Sequence, residues 1–593
     1  MPLMGSFYVG TSGLQMSQNA LNTTAHNISN KDTQGFVRQQ VLQADRVYNT
    51  IKSGTPATGS MQTGLGVTYA KVRQVRDYFL DQSYRKENGR AAFYSTSFNA
   101  LTEVEDLLDE YNDDASFNHA LTKLWSSIEE LAKTPDDTVV QRLLIQNAQT
   151  FLTNAKQVYA GLVDYQNELN SQIKDKVAEI NSLGHQILDL NAEIRKVETG
   201  IEAANDLRDA RNEALDKLSS MVTIKYEEDI YGAITVEVEG YDFVGPDKVY
   251  EMNAYLDSQT GFYTPFWENN ATYTYDAEGD KVWDISEAKV FDTYRLISSE
   301  KGTDIGELRA MLYARGDRVA NFTDIPVKPV QPDFTDTVKY PYGANDPQYA
   351  LDAAEYNYQM GIYEKEVDVY NHTIAQSVCM NIQAEFDQLV HNVAVSVNEV
   401  LYGAFQKNGG EYMVDDDGSP LQIFQKIATP GFTKNEVTGE WEYYPENTSD
   451  HYYVDTLYTI NNLQINPTLV REAGKMGFIL KDGTVDFDTA YGLLEAFDKD
   501  QYVLNPNVTT TCSINTYYTN LVSQVANSGF VYKSIAESQA ATVASIQSSR
   551  EQVVGVSADE ELTNMIKFQN AFNAASRYIN VVDEMLEHII TAM

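Results

Sequence analysis

Cysteine is almost missing from this 593-residue chain, with Cys379 and Cys512 the only two. No disulfide framework can be built from them, and whether a single bridge joins them is a matter of geometry that spacing does not decide. Cys379 lies in an apolar helical stretch, TIAQSVCMNIQAEF, where cysteine behaves as a small buried hydrophobe. Two free thiols are expected. Positive charge is the second scarcity: 44 Lys+Arg stand against 85 Asp+Glu, a formal net charge of −41. Nucleic acid and anionic membrane both need cations brought to phosphates, so neither is expected as a partner. Long apolar runs are the third. No stretch approaches the roughly 18 residues of a membrane span. No Lys or Arg precedes Lys31, so the n-region of a cleaved secretory signal is missing too. The chain is expected to be cytosolic or exported by a route that does not read such signals.

Reactive constellations are equally thin. The seven histidines (His26, His119, His185, His372, His391, His451 and His588) form neither H-E-x-x-H nor another metal-ligand spacing. Gly64-Leu65-Gly66 lacks the third glycine of a dinucleotide loop, and Thr11-Ser12-Gly13 lacks the strand–turn–helix context of a nucleophile elbow. Asp415-Asp416-Asp417-Gly418 has no glutamate at the twelfth position of a calcium loop and suits a hairpin turn. No catalytic residue, cofactor or metal is expected, and the chain is not expected to be an enzyme.

What the sequence has is helical seams. Between Leu162 and Ile201 apolar residues step by three or four, a stripe about 40 residues long inside a helical region over 91–225, with loops near Asn112–Ser116 and Thr134–Asp137. Thr223 opens a β-like stretch to residue 300 in which ITVEVEG alternates strictly. Residues 226–300 hold 17 acidic side chains against 4 basic, which suits a solvated outer β domain. Residues 321–350 are rich in proline and aromatics and suit an extended excursion. Helical spacing returns from about Ala353 to Val400. Residues 403–500 turn β-like, with turns at Asp417-Gly418, Gly439 and Asp482-Gly483, and helix resumes near Asn515 and runs to the end.

The two ends carry the clearest pattern. Met565, Phe568, Phe572, Ala575, Ile579, Val582, Leu586, Ile589 and Met593 alternate +3 and +4 without a miss, a heptad seam of about four repeats. At the other end Leu14, Leu21 and Ile28 fall seven apart, with Phe7 seven earlier, in a stretch where no side chain but His26 can be charged before Lys31. Neither helix alone buries enough to offset the entropy of ordering its backbone. Both ends are therefore expected to be unstructured until each meets a partner helix. Periodicity alone leaves open whether that partner is intramolecular or another subunit.

The run GLQMSQNALNTTAHNISNKDTQGFVRQQV resembles the N-terminal motif of the flagellar rod, hook and hook-associated family, matching at Leu14, Leu21, Asn27, Ile28, Asn30, Thr33, Gly35, Phe36 and Arg38. Phe36 stands where tyrosine is more usual. GVSADEELTNMIKFQNAFNAASRYINVVDEMLEHII is similar to the C-terminal half of that motif at Glu560, Glu561, Met565, Gln569, Phe572, Ala575, Asp583 and Leu586. Inside the chain NDLRDARNEALDKLSSMV, DIGELRAMLYARGDRVAN and NLQINPTLVREAG resemble segments of the members that join hook to filament.

The resemblance implies a structural protein that polymerises at the distal end of the hook, with further copies of itself, the hook protein, a second junction protein and an export chaperone as partners. It also implies export unfolded through the flagellar type III channel, without signal cleavage, to the extracellular flagellum. The expected assembly interface comprises Leu14, Leu21, Asn27, Ile28, Asn30, Gly35, Met565, Phe568, Phe572, Ile579, Val582, Leu586 and Ile589, with Asn27, Asn30 and Gly35 in the turn that ends the first helix. The expected fold is multi-domain α+β: 1–60 with 545–593 as a terminal helical coiled coil, 85–225 with 356–402 and 505–544 as a long-helix bundle, and inserted β-rich domains at 226–355 and 403–504. Two other readings stay open: another axial protein of the flagellum, or a helical mount whose Tyr-rich β module binds a ligand.

Overall fold

The structure is a computed structural model. It describes residues 3–33, 35–46, 48–52, 61–108, 116–200, 203–276, 281–336, 338–435, 438–448 and 453–592. Met593, Ile201 and most of the loop expected at 112–116 lie outside these.

Helix α1 (Leu3–Ser29) is followed by β1 (Gln39–Asp45), β2 (Asn49–Lys52), β3 (Met61–Thr63) and β4 (Val67–Gln74). β1 pairs antiparallel with β4, and β2 with β3. Then come α2 (Tyr78–Leu108), α3 (Phe117–Lys133), α4 (Thr138–Val197) and α5 (Asn205–Met221). The turn at 134–137 ends in Asp137, whose side chain accepts from Val139 N and starts α4. α4 has 60 residues, about 90 Å at 1.5 Å each. The expected stripe is its buried face as far as Ile194, with Leu162, Leu169, Ile173, Val177, Ile180 and Ile187 all buried, but Val197 near its end is exposed.

That length lets α4 serve two cores. Its first half packs with α3, with α8 (Val378–Lys407), with α10 (Phe487–Asp498) and with the start of α11 (Ile514–Val554). At the centre the Phe117 ring lies 4.8 Å from those of both Phe386 and Tyr518. The short strands β12 (Phe424–Lys426) and β15 (Leu463–Ile465) close this core. Between them in sequence lie β13 (Phe432–Lys434) and β14 (Trp441–Tyr443), and α9 (Pro467–Arg471) follows β15. The expected turns are present, with Gly418, Gly439 and Gly483 at φ 81°, 73° and 84°.

The second half of α4 carries the strands of the middle region: β5 (Ile224–Glu228), β6 (Ile234–Val238), β7 (Tyr241–Val244), β8 (Met252–Leu256), β9 (Tyr263–Trp267), β10 (Thr272–Tyr275) and β11 (Lys281–Asp284). They form a three-stranded sheet β5-β6-β7 and the ribbons β8-β9 and β10-β11. The alternation read in ITVEV holds, with Ile234, Val236 and Val238 buried. Val236, Phe243 and Trp267 share one core with Leu169–Ile187 of α4, Leu215 and Leu218 of α5, and Leu308 of α6 (Glu307–Arg315). Only the β10–β11 ribbon stands clear of that core. The stretch expected as an outer domain is therefore half a wall of the helical bundle, because its acidic face hides an apolar one.

Two helical runs are broken where the sequence shows continuous spacing. The 353–400 run is α7 (Pro347–His372) and α8, separated at residues 373–377, where the Ser377 hydroxyl caps α8 by accepting from Met380 N. The C-terminal run is α11 and α12 (Ala558–Ala592), separated at Gly555. A Cβ at Gly555 would stand 2.3 Å from Glu551 O, so only glycine fits this break.

Three buried acids set a pH dependence. Burial pushes Glu385 and Asp387 of α8 up to about 7, against hydrogen bonds from Asn505 and Gln524 to the first and from Ile460 N and Phe322 N to the second. Burial likewise lifts Asp209 of α5 to about 7, against Val37 N, Arg76 and Gln74. Each is protonated in the folded chain at pH 5.5 and ionised in the unfolded one. Their stabilisation is complete below pH 4 and is lost as pH rises to about 7. His391, buried and lowered to about 4, opposes them between pH 4 and 6.5, one group against three. A higher melting temperature at pH 5.5 than at pH 8 is expected, and Glu385→Gln, which cannot ionise, should reduce the difference. An unchanged difference in that variant would refute the assignment.

Candidate assembly interface

α1 and α12 pack against each other antiparallel. Gly10 faces Ile579, whose Cγ1 would lie 2.7 Å from a Cβ at that glycine; Gly13 faces Ala575; Asn27 Nδ2 donates to Glu561 Oε2 at 3.3 Å. In each pair the two numbers add to about 588. On that register Phe572 falls opposite Ser17, Phe568 opposite Ala20, and Met565 opposite Thr24. The row that α1 presents is thus Gly10, Gly13, Ser17, Ala20, Thr24 and Asn27, again alternating +3 and +4. Small residues in α1 receive large ones from α12.

This corrects the expected N-terminal seam. Leu14, Leu21 and Ile28 are half-buried beside the contact, whereas Gly10, Ser17, Ala20, Thr24 and Asn27 are buried in it. On α12 Met565, Phe568, Phe572, Ile579 and Leu586 are half-buried and Val582 is buried, but Ile589 is exposed. On that register Ile589 lies beyond Leu3, where α1 begins. The last turn of α12 overhangs its partner. Each end thus has a partner helix within the same chain.

The turn after α1 uses Asn30, whose side chain donates to His26 O and accepts from Thr33 Oγ1, and Gly35 at φ 80°. Asn27 does not belong to that turn. It is 1% exposed inside the helix, donating to Gln39 O at 2.8 Å and accepting from Gln39 N at 3.0 Å. Arg38 donates from Nε to Glu561 Oε1 and from Nη1 to Glu560 Oε2, both at 2.9 Å, while its backbone N reaches Val554 O at 2.8 Å. Asn27, Arg38, Glu560 and Glu561 thereby form a clasp joining the end of α1, the start of β1 and the α11–α12 break. The strands lie on α1 as well, where Val67 N donates to Ser12 Oγ. Gly66, at φ 91°, leaves no room for a Cβ there.

A second knot ties the clasp to the bundle. Arg550 of α11 donates to Asp81 of α2 at 2.6 Å and to Asp216 of α5 at 2.8 Å; Arg76 reaches Asp81 and Arg85 reaches Asp216. Burial works against the Asp81 carboxylate, but the hydrogen bond and charge of Arg76, with the charges of Arg550 and Arg85, outweigh it and hold the group below its ordinary range. Asp209 adds a dock by accepting from Val37 N and Gln74 Nε2. A cleft of about 650 Å³ lies between clasp and knot, lined by Lys31, Phe36, Tyr84, Asp216 and Arg550 among others. Sequence reasoning missed the knot, since nothing marks Arg550 and Asp81 as partners across 469 positions.

Among the described residues no group of three His, Cys, Asp or Glu could hold a metal, and no helix is long and apolar enough to cross a membrane. Cys379 and Cys512 are free and buried, and burial raises the Cys379 thiol to about 12.

Comparisons with known proteins meet this geometry at both ends. Residues 7–36 match the family described as flagella basal body rod protein, and 547–592 match the flagellar basal body rod FlgEFG protein C-terminal family. The flagellar hook-associated protein FlgK helical domain family matches residues 101–279. Flagellar hook-associated protein 1 of Bacillus subtilis is 24% identical over 591 residues, covering 98% of this chain and 96% of that one. The chain is similar along nearly its whole length to this hook-associated protein. Hook-associated protein 1 of Escherichia coli K12 is 21% identical over 98% of both chains, and that of Salmonella typhimurium is 27% identical over 36% of this chain and 37% of its own. The flagellar hook junction protein FlgK from Burkholderia pseudomallei has 12% identity and a TM-score of 0.48, covering 79% of this chain and all of that one. The chain is a structural component of the bacterial flagellum, and the clasp draws on both rod-family matches: Asn27 from 7–36 and Glu560 and Glu561 from 547–592, with Arg38 two residues beyond the first.

Proposed function

We propose that the chain polymerises at the distal end of the hook through its joined termini, forming the junction that carries the filament. The observation that carries this reading is a second apolar stripe on α12. Val581, Met585 and Ile589 are 44–53% exposed, the first two one residue out of step with Val582 and Leu586 of the inner seam. A helix apolar on two adjacent faces is suited to contact on both. α1 takes the inner face, and the outer one is available to the same pair in a neighbouring copy. Leu14, Leu21 and Ile28, left half-buried on α1, extend that surface.

The hook protein and a second junction protein are the neighbours below and above such a layer. An uncharged, weakly seamed α1 suits export in unfolded form by the flagellar type III route, with an export chaperone covering the α12 seam until assembly. The division into terminal coiled coil, long-helix bundle and two β-rich insertions assigns assembly to the first of these. Electron microscopy of cells lacking the protein tests the role: bare hooks with secreted flagellin monomers are expected, and normal filaments would overturn it.

A further inference from the structure

The β10–β11 ribbon carries a surface that assembly through the termini does not use. Pairing sets Tyr273 opposite Trp283 and Tyr275 opposite Lys281, so strand alternation brings these four side chains to one face. Tyr273 is 46% and Tyr275 65% exposed. The rings run inward in sequence: Tyr275 to Tyr273 with centroids 5.6 Å apart, Tyr273 to Trp283 at 5.0 Å, and Trp283 to the buried Phe266 at 5.5 Å. A ribbon of two four-residue strands is marginal alone; this file of rings anchors it to β9 and fixes the outermost pair. Exposed aromatics held in place mark contact surfaces.

Charge selects the partner. The 17 acidic and 4 basic residues of 226–300 repel polyanions. The rings themselves already bind a cation, with Lys281 Nζ 4.4 Å from the Tyr273 centroid and 5.1 Å from that of Trp283. Tyr275, the most exposed ring of the file, has no such occupant among the described residues. We propose that this face docks a basic polypeptide segment, whose lysine or arginine side chains seat on Tyr275 and take the place of Lys281 over Tyr273 and Trp283, inside an acidic surround.

Fluorescence anisotropy with the full chain and a labelled lysine–serine repeat peptide, at physiological salt, tests this. The Tyr273→Ala/Tyr275→Ala variant keeps every charge and should bind about 10-fold more weakly, two rings at the cation–π scale. Lys281→Ala frees the ring faces and removes a repelling charge, so it should bind about 3-fold more tightly, a gain that misfolding cannot produce. Equal affinity in the tyrosine variant would mean bulk charge alone. Unchanged or weaker binding by Lys281→Ala, equal binding of a lysine-acetylated peptide, or displacement by a neutral oligosaccharide such as cellohexaose would each overturn the proposal, the last in favour of a glycan platform.

Discussion

Ile579→Asp is expected to remove filaments from hooks while shifting the melting temperature of the helical bundle by no more than about 2 °C, within the range of a surface substitution in a chain of this size. Ile579 faces Gly10, where an added Cβ would lie 2.7 Å from its Cγ1. An aspartate there has no cation to pair with across the seam, where α1 offers glycine, serine, alanine, threonine and asparagine. A half-buried, unpaired carboxylate against the α1 backbone is costly enough to separate helices that hold each other by half-buried contacts. The bundle has its own cores around α4, and the terminal pair reaches it through the clasp, the knot and polar contacts to the start of α5 at Asp206 and Asp209. Secretion should fall together with assembly if an export chaperone reads the same face. A large drop in melting temperature, or normal filaments, would show that the seam is an internal core rather than an assembly surface.

Glu561→Gln should release the termini without touching the seam. The Glu561 side chain is 3% exposed, and its two oxygens accept from Arg38 and Asn27. The amide keeps the shape but leaves Arg38 only Glu560, which is 62% exposed. Breaking one partner of a buried pair costs about 3 kcal/mol, so amide exchange across α1 and α12 should quicken by roughly 100-fold while α4 is unaffected. Glu560→Gln provides the contrast. Its pair faces water, and a loss of at most about 1 kcal/mol is expected. Equal effects from the two substitutions would mean that burial of Glu561 contributes nothing to the clasp.

How far the sequence could be followed depends on which physical signal each element leaves. The α12 seam was legible because it is written in Phe, Ile, Val and Leu; its counterpart in α1 was not, because it is written in Gly, Ser, Ala and Thr, which carry the same +3/+4 spacing without hydrophobicity. Leu14, Leu21 and Ile28 drew attention by size and lie beside the contact. Turns were legible at Gly418, Gly439 and Gly483, glycines of positive φ, but not at Gly232, Gly261 or Gly316. The breaks before α8 and at Gly555 were not, because apolar spacing continues across them. Motif resemblance identified Asn27, Arg38, Glu560 and Glu561 singly, but their meeting is tertiary information. The same holds for the β strands beneath α4, whose surface charge is conspicuous in composition while Val236, Phe243 and Trp267 are dispersed among tyrosines.

The pairing of small with large residues along the two terminal helices constrains heredity in opposite directions. On α1 a change is harmful when it adds atoms, as at Gly10, where even a methyl group would overlap Ile579; on α12 a change is harmful when it removes them. A lineage can therefore enlarge one helix only by trimming the other. Second-site revertants of Gly10→Ala should map to Ile579 or Tyr578, the two residues that crowd it, at the far end of the gene.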